Sequence, residues 1–509
     1  MRSKNTIKNM RYNFLLYFVS IILGFISRSF FIKYLGIDIL GVNNIIGNLL
    51  EFLNIAESGV SLAITYSLYG PLAKKDNRKI EEIMYLFKYY YKKIALIIFI
   101  LGAILSIFLK FMMKKEISLI SIYIYYYLFL FNTVLTYLFS YKQTLIIADQ
   151  KEYIITLSTN LIKLIKVIME IIVLINFRNY ILWIFIEVIF NYINLIYLSK
   201  KCERIFKNID FKKKYEINTI KEKNSNIIID IKNVFLHKIS NFIVFQTDNI
   251  LISLFLTLKD VGIYGNYILI ISSISGILFA VMNSIIPSIG NLIVKSTTNK
   301  VYEVFKKMYL LDNFFALIIS YTLFYTINPF MSIWVGKDLT FGYGVVYILM
   351  VNLYIKISRG TVDRFRDVYG IFWDKYAPVV EGIVNLVISL ILIRKMGIIG
   401  ILSGTLVSNI LIVLIWKPYT LFSYGFKIDI KKYIFMFLKT TIASLISIYL
   451  SNYILKYIPI ISFSNNLLEF IIRSIVIFVI IGAIGTIIYL IQKDFRDLIK
   501  YIIKTIYKR

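Results

Sequence analysis

F-L-L-Y-F-V-S-I-I-L-G-F-I-S-R-S-F-F-I-K-Y-L (residues 14–35), then Gly36, then I-D-I-L-G-V-N-N-I-I-G-N-L-L-E-F-L-N-I (residues 37–55), is the stretch that decides the fold. Its first run is long enough for a helix across a bilayer, which needs about 20 apolar residues. Arg2, Lys4, Lys8 and Arg11 precede it, Lys33 sits at its outer end, and Arg28 interrupts its outer half. A central Arg is costly in hydrocarbon, so Arg28 must face protein or water. The second run carries Asn44, Asn48, Glu51, Asn54, Ser58, Ser61 and Thr65 at intervals of three or four, which places them on one helix face opposite an apolar one. Ser and Asn can serve only to glue helices together. Glu51 and Glu57, on or beside the stripe, favour a wetted cavity instead.

Runs of this kind recur about fourteen times, near residues 13–35, 38–68, 90–110, 117–140, 154–176, 180–199, 234–256, 262–292, 308–328, 343–358, 377–396, 398–416, 435–456 and 468–491, of which 343–358 is short for a span. With the N-terminus inside, 44 of the 58 Lys and Arg residues fall in cytoplasmic segments and eleven at outside ends. Only Arg28, Lys163 and Lys166 lie within spans. That bias follows the positive-inside rule and predicts two cytoplasmic tails. The chain is 59% hydrophobic, with a mean hydropathy of +0.74, which excludes a soluble domain. Its formal net charge of +29 is dispersed over eight inside segments, so it suits an anionic inner leaflet and not nucleic acid. The single cysteine, Cys202, rules out an internal disulfide and a thiolate metal cluster. The first apolar run has no small-residue cleavage pattern after it and is expected to be a retained helix.

Catalytic chemistry has little room here. No G-x-x-x-x-G-K-[ST] phosphate loop occurs, the short outside loops hold no carboxylate cluster, and the single histidine, His237, sits beside Lys238 at the inner edge of a span. A non-enzyme is expected, with no cofactor and no metal. The basic stretch 200–233, with K-K-C-E-R and F-K-K-K-Y, is expected to orient the flanking helices and to join two halves.

The halves repeat. L-G-V-N-N (residues 40–44) corresponds to V-G-I-Y-G-N (residues 261–266) at an offset of 221, and Q-K-E-Y (residues 150–153) to W-D-K-Y (residues 373–376) at 223. The expected architecture is therefore an all-α membrane protein with a six-helix bundle at 1–199, a linker at 200–233, a parallel six-helix bundle at 234–417, and two further spans with a basic tail at 418–509. Parallel bundles around a central cavity suit alternating access.

Lys163 and Lys166 lie mid-span with Glu170 one turn on, a spacing that permits a Lys166–Glu170 pair. Arg28, Lys163 and Lys166 together would suit a diphosphate, with Asn44, Asn48 and Glu51 beside them. Alternatively these cations pair internally, Arg28 with Glu51 or Glu57. Asp248, Glu381 and Glu57 are candidates for coupling to a proton or Na⁺ gradient, and with Asp312 the second-half acids equally suit pairing with Arg359, Arg364 or Arg366. Tyr125, Tyr126, Tyr127 and Tyr137 are candidates for stacking on sugar rings.

The stretch F-I-S-R-S-F-F-I-K-Y-L-G-I-D-I-L-G-V-N-N (residues 25–44), continued by N-I-A-E-S-G-V-S-L-A-I-T-Y-S-L-Y-G-P-L-A-K-K-D (residues 54–76), resembles the opening of Wzx-type polysaccharide flippases of the multidrug/oligosaccharidyl-lipid/polysaccharide exporter superfamily. Y-K-Q-T-L-I-I-A-D-Q-K-E-Y from Tyr141, T-D-N-I-L-I-S from Thr247, V-G-I-Y-G-N-Y from Val261 and F-W-D-K-Y-A-P from Phe372 resemble the same family. The likeness extends over about residues 13–420. It implies twelve core helices, fourteen in the related lipid II flippases, in a bacterial cytoplasmic membrane. It also implies alternating-access movement of undecaprenyl-diphosphate-linked glycan to the outer leaflet, with membrane lipids and other polysaccharide assembly proteins as partners. Arg28 occupies the place of a cavity arginine in that family, whereas basic residues of the fifth helix vary there. A multidrug cation antiporter on the same fold, or a membrane glycosyltransferase or polymerase, are the alternatives.

Overall fold

Among the described residues every regular element is helical, as expected in lipid, where each backbone polar group needs a partner within its own segment. The structure, a computed structural model, describes residues 2–112, 117–223, 247–371, 374, 376–458 and 466–507. Side chains are not described at 2–14, 55–60, 62, 63, 223, 247, 466, 502 and 505–507. His237, Trp373 and the Glu57 side chain fall outside the described set.

In chain order the helices are α1 Arg2–Leu35, α2 Ile37–Lys74, α3 Asn77–Ser106, α4 Leu109–Met112, α5 Leu119–Ser140, α6 Gln143–Ala148, α7 Glu152–Phe177, α8 Tyr180–Ile205 and α9 Ile217–Lys223. They continue with α10 Thr247–Phe255, α11 Leu258–Asn283, α12 Ile286–Lys295, α13 Thr298–Trp334, α14 Tyr343–Ser358, α15 Gly360–Val368, α16 Ala377–Met396 and α17 Ile398–Ser408. After α17 the chain stays helical through wide π turns at Asn409–Trp416 and Leu421–Phe426, followed by α18 Lys431–Leu455, α19 Asn466–Leu490 and α20 Lys493–Tyr507.

Among the described residues, eleven stretches are long and apolar enough to cross a membrane. The expected spans 38–68 and 154–176 are also helical throughout, as α2 and α7, but α7 carries Lys163, Lys166 and Glu170 at its middle. The expected span 234–256 is described only from Thr247 onward. The expected span 262–292 is two helices, α11 and α12. They part just before Pro287, which opens α12, where a missing N–H costs nothing. The short span 343–358 gains length because α14 steps into α15, giving 26 residues over Tyr343–Val368.

The chain divides into two compact units, Met1–Gly265 and Asn266–Arg509. In the first, α1 lies along α7. Ser20 Oγ donates to Asn160 Oδ1, and the Arg178 guanidinium covers the Tyr34 ring at 5.7 Å, so the two helices run parallel. The segment after α8 folds back on α3: Glu81 accepts from the Asp210 amide at 2.9 Å, from the Tyr215 hydroxyl at 2.6 Å and from Lys213 at 3.4 Å. The Tyr215 hydroxyl and the Glu81 carboxylate push the Lys213 ammonium above its ordinary range. Cys202 is buried and donates to the Lys142 carbonyl.

In the second unit α16 and α17 pack closely, because a side chain at Gly404 would strike Ser389 and the Asn385 carbonyl. On α13, Leu310, Leu317, Ile318 and Tyr321 form a core with Ile477, Ile481, Tyr489 and Phe495. Tyr321 and Tyr325 both donate to Asn452 of α18, at 2.7 and 2.8 Å. Helix α20 is amphipathic, with charges at Arg496, Asp497 and Lys500 and apolar residues at Phe495, Leu498, Ile499 and Ile503. Its first turn is fixed to α13 by a Lys306–Asp494 pair at 2.9 Å and by Phe495, fully buried against Phe314.

Candidate functional site

The turn at Gly36 returns the chain from α1 into α2, and this brings Arg28 opposite Asn44. Gly36 has φ +88, a conformation that side-chain-bearing residues rarely adopt. Arg28 Nη2 donates to Asn44 Oδ1 at 2.9 Å and Nη1 to the Gly265 carbonyl at 3.1 Å. Asn44 Nδ2 in turn donates to the Val261 carbonyl at 3.4 Å. No carboxylate among the described residues pairs with Arg28. Among the described residues the arginine is thus held by neutral acceptors alone.

Close backbone approach makes this arrangement available. A side chain at Gly265 would strike Asn44 Nδ2 and come within 3.2 Å of Arg28 Nη2. One at Gly41 would strike the Leu258 carbonyl, and one at Gly262 the Ile37 carbonyl at 2.5 Å.

Lys166 has a different environment. Its ammonium donates to Glu187 of α8 and lies 3.7 Å from Glu170, which is almost fully buried. Lys163 makes no ion pair among the described residues. The parallel register of α1 and α7 sets the depths. Arg28 is eight residues past Ser20 and Lys166 six past Asn160, about 12 and about 9 Å at ~1.5 Å per residue. Arg28 and Lys166 therefore lie at nearly equal depth on neighbouring helices.

Of the α2 stripe, Asn48 has a buried Nδ2 with no hydrogen-bond partner among the described residues, Glu51 is exposed, and Asn54 accepts from the Tyr137 hydroxyl at 2.6 Å. Asn43, one place off the stripe, accepts from Tyr180 at 2.9 Å. The four tyrosines separate. Tyr126 is buried and donates to the Gly102 carbonyl, Tyr125 packs edge-on against Tyr180, Tyr127 meets Ser106, and Tyr137 lines a cavity with Asn54, Asn132, Thr133, Thr136 and Ser140.

Asp248 accepts from Tyr264 at 3.1 Å, within the first unit. In the second unit Glu381 is buried between Arg359 at 3.8 Å and Lys417 at 3.7 Å, and both cations also reach Asp363. Asp312 accepts from Arg364 and from Thr361. Arg366 pairs with Asp374 at 2.8 Å, and Trp416 Nε1 donates to the same carboxylate. Of the acids named from the sequence, Glu381 thus pairs with Arg359 and Lys417 and Asp312 with Arg364, whereas Arg366 pairs with Asp374 and Asp248 meets Tyr264. Glu187 and Lys417 carry no local signal in the sequence, because their partners are on other helices.

No family model matches the chain, and no curated protein matches it. Among solved structures it is similar to the lipid II flippase MurJ in its inward closed conformation, with a TM-score of 0.68 at 17% identity over 95% of this chain and 99% of that one. It is also similar to an inward-facing multidrug resistance MATE family transporter of the MOP superfamily, with a TM-score of 0.55 at 13% identity over 81% and 94%. The Vibrio cholerae MATE transporter VcmN gives 0.54 at 14% over 84% and 99%. The chain is an all-α, multi-pass membrane protein with the fold of MOP-superfamily transporters.

Proposed function

We propose that the chain is a flippase that moves an undecaprenyl-diphosphate-linked oligosaccharide from the inner to the outer leaflet of a bacterial cytoplasmic membrane by alternating access. One observation carries this reading: Arg28, in a membrane span, is oriented by Asn44 and the Gly265 carbonyl with no carboxylate partner among the described residues. A positioned cation of that kind is suited to an anion, and a guanidinium suits the oxygens of a diphosphate. Lys163, also without an ion pair among the described residues, is the second candidate donor, whereas Lys166 already serves Glu187 and Glu170. The likeness in fold to a lipid II flippase supports the same direction. In this reading 1–199 and 234–417 are the two moving halves, 200–233 links them, and 418–509 is added to the second.

The test is flipping of fluorescent undecaprenyl-diphosphate-linked saccharide in liposomes containing the purified chain. Wild-type protein should accelerate loss of the probe from one leaflet and Arg28→Ala should not. Equal rates with and without protein would end the proposal.

A further inference from the structure

Two polar stripes meet inside the first unit and enclose space. On α5, Asn132, Thr133, Thr136, Tyr137 and Ser140 recur in steps of one and three residues, so they share a face of a helix otherwise rich in Leu, Ile, Phe and Tyr. Asn54 of α2 faces them, and the six residues line a cavity of about 220 Å³. The lining carries no charge. Asn54 Oδ1 accepts from the Tyr137 hydroxyl at 2.6 Å, and Asn132 Oδ1 accepts from Asn191 Nδ2 at 2.6 Å. Asn191 also donates to Thr136 Oγ1 at 3.1 Å. Each lining asparagine therefore already accepts one hydrogen bond from within the chain, while its amide N–H groups remain to donate elsewhere. Neither of these amide nitrogens, nor the Ser140 hydroxyl, has a hydrogen-bond partner among the described residues.

Size and chemistry narrow the occupant. At ~30 Å³ per water the space holds about seven waters, less than the ~300–1,000 Å³ of a drug-sized pocket. A diphosphate needs cations to compensate its charge, and none lines the cavity. A charged sugar would also be left without a counter-ion. An apolar molecule would strand two amides and several hydroxyls. A neutral sugar ring, rich in hydroxyl and ether oxygens, satisfies donors and acceptors together.

We infer that this cavity is a sugar subsite, receiving one uncharged ring of the saccharide; the inference rests on the flippase reading. Asn54 is ten residues from Asn44, about 15 Å along α2, so the ring bound here is not the one joined to a diphosphate at Arg28. The cavity selects on the body of the saccharide, and Arg28 on its anionic end.

The experiment compares two probes on the full-length protein in nanodiscs: undecaprenyl diphosphate, and the same lipid bearing a neutral trisaccharide. Wild-type protein should bind the glycosylated probe about tenfold more tightly, as expected for a few net hydrogen bonds. Asn132→Leu, and the shape-preserving Thr133→Val with Ser140→Ala, should each erase most of that preference while binding bare undecaprenyl diphosphate as before, which also shows that they fold. Equal wild-type affinity for both probes, or variants that bind the bare lipid normally and keep the preference, would overturn the sugar subsite and leave the flippase reading in place. Wild-type protein that binds neither probe would remove both.

Discussion

Gly41 and Gly262 rest on each other's helices reciprocally: Gly41 on the carbonyl of Leu258, four residues before Gly262, and Gly262 on the carbonyl of Ile37, four residues before Gly41. The offset of 221 seen in the sequence thus relates two segments that touch as local mates within the first unit. The missing side chains permit this closeness, and the closeness brings Asn44 and the Gly265 carbonyl to Arg28.

Gly41→Ala and Gly262→Ala should each destabilise the protein by about 1–3 kcal/mol, the usual range for overpacking. Thermal unfolding in detergent measures this. The double substitution should cost less than the two together, since either one already forces the same crossing apart. Additive losses would show that the two contacts are independent.

Arg28→Lys should lose most saccharide export in a complemented null strain at matched membrane levels, and Arg28→Ala nearly all, because an ammonium cannot reproduce a planar fork. Asn44 and the Gly265 carbonyl hold the guanidinium, so Arg28→Ala combined with Glu51→Ala should not recover export. Recovery in the double variant would make Arg28 a partner of Glu51 in the scaffold.

Lys166→Met should be costly to stability, by about 3–5 kcal/mol, because it leaves Glu170 and Glu187 without their shared cation. Adding Glu170→Gln and Glu187→Gln should restore much of the loss. Lys163→Met, with no ion pair to break among the described residues, should change the unfolding temperature little and lower export if Lys163 touches the substrate. A Lys166→Met protein that melts with the wild type would show that the pairing contributes nothing.

Reporter fusions after Ile220, Thr340 and Thr505 should read cytoplasmic, external and cytoplasmic, as the distribution of Lys and Arg requires. An external signal at Thr505 would break the parity on which the parallel repeat depends.

The Arg28–Asn44 hydrogen bond was not read from the sequence, because it depends on how the chain turns back at Gly36; helix-forming runs were legible because they are local, following from length and apolarity. The Lys166–Glu170 spacing was legible for the same reason. Glu187 was not, since it reaches Lys166 only through the packing of α7 on α8. The Glu381 cluster likewise joins residues from three helices. Of the tyrosines expected to meet a sugar, Tyr125, Tyr126 and Tyr127 contact Tyr180, the Gly102 carbonyl and Ser106, contacts that depend on neighbouring helices and so had no local signal. Tyr137 lines the cavity together with the neutral residues from Asn132 to Ser140.

Helix α20 is hinged to α13 at its first turn, by the Lys306–Asp494 pair and the buried Phe495. Part of its apolar side, Phe495 and Ile499, lies in the core of the second unit, while Tyr501 and Ile503 stay exposed. A shift of α13 along its axis would therefore carry the start of α20 with it, as a lever is carried by its pin.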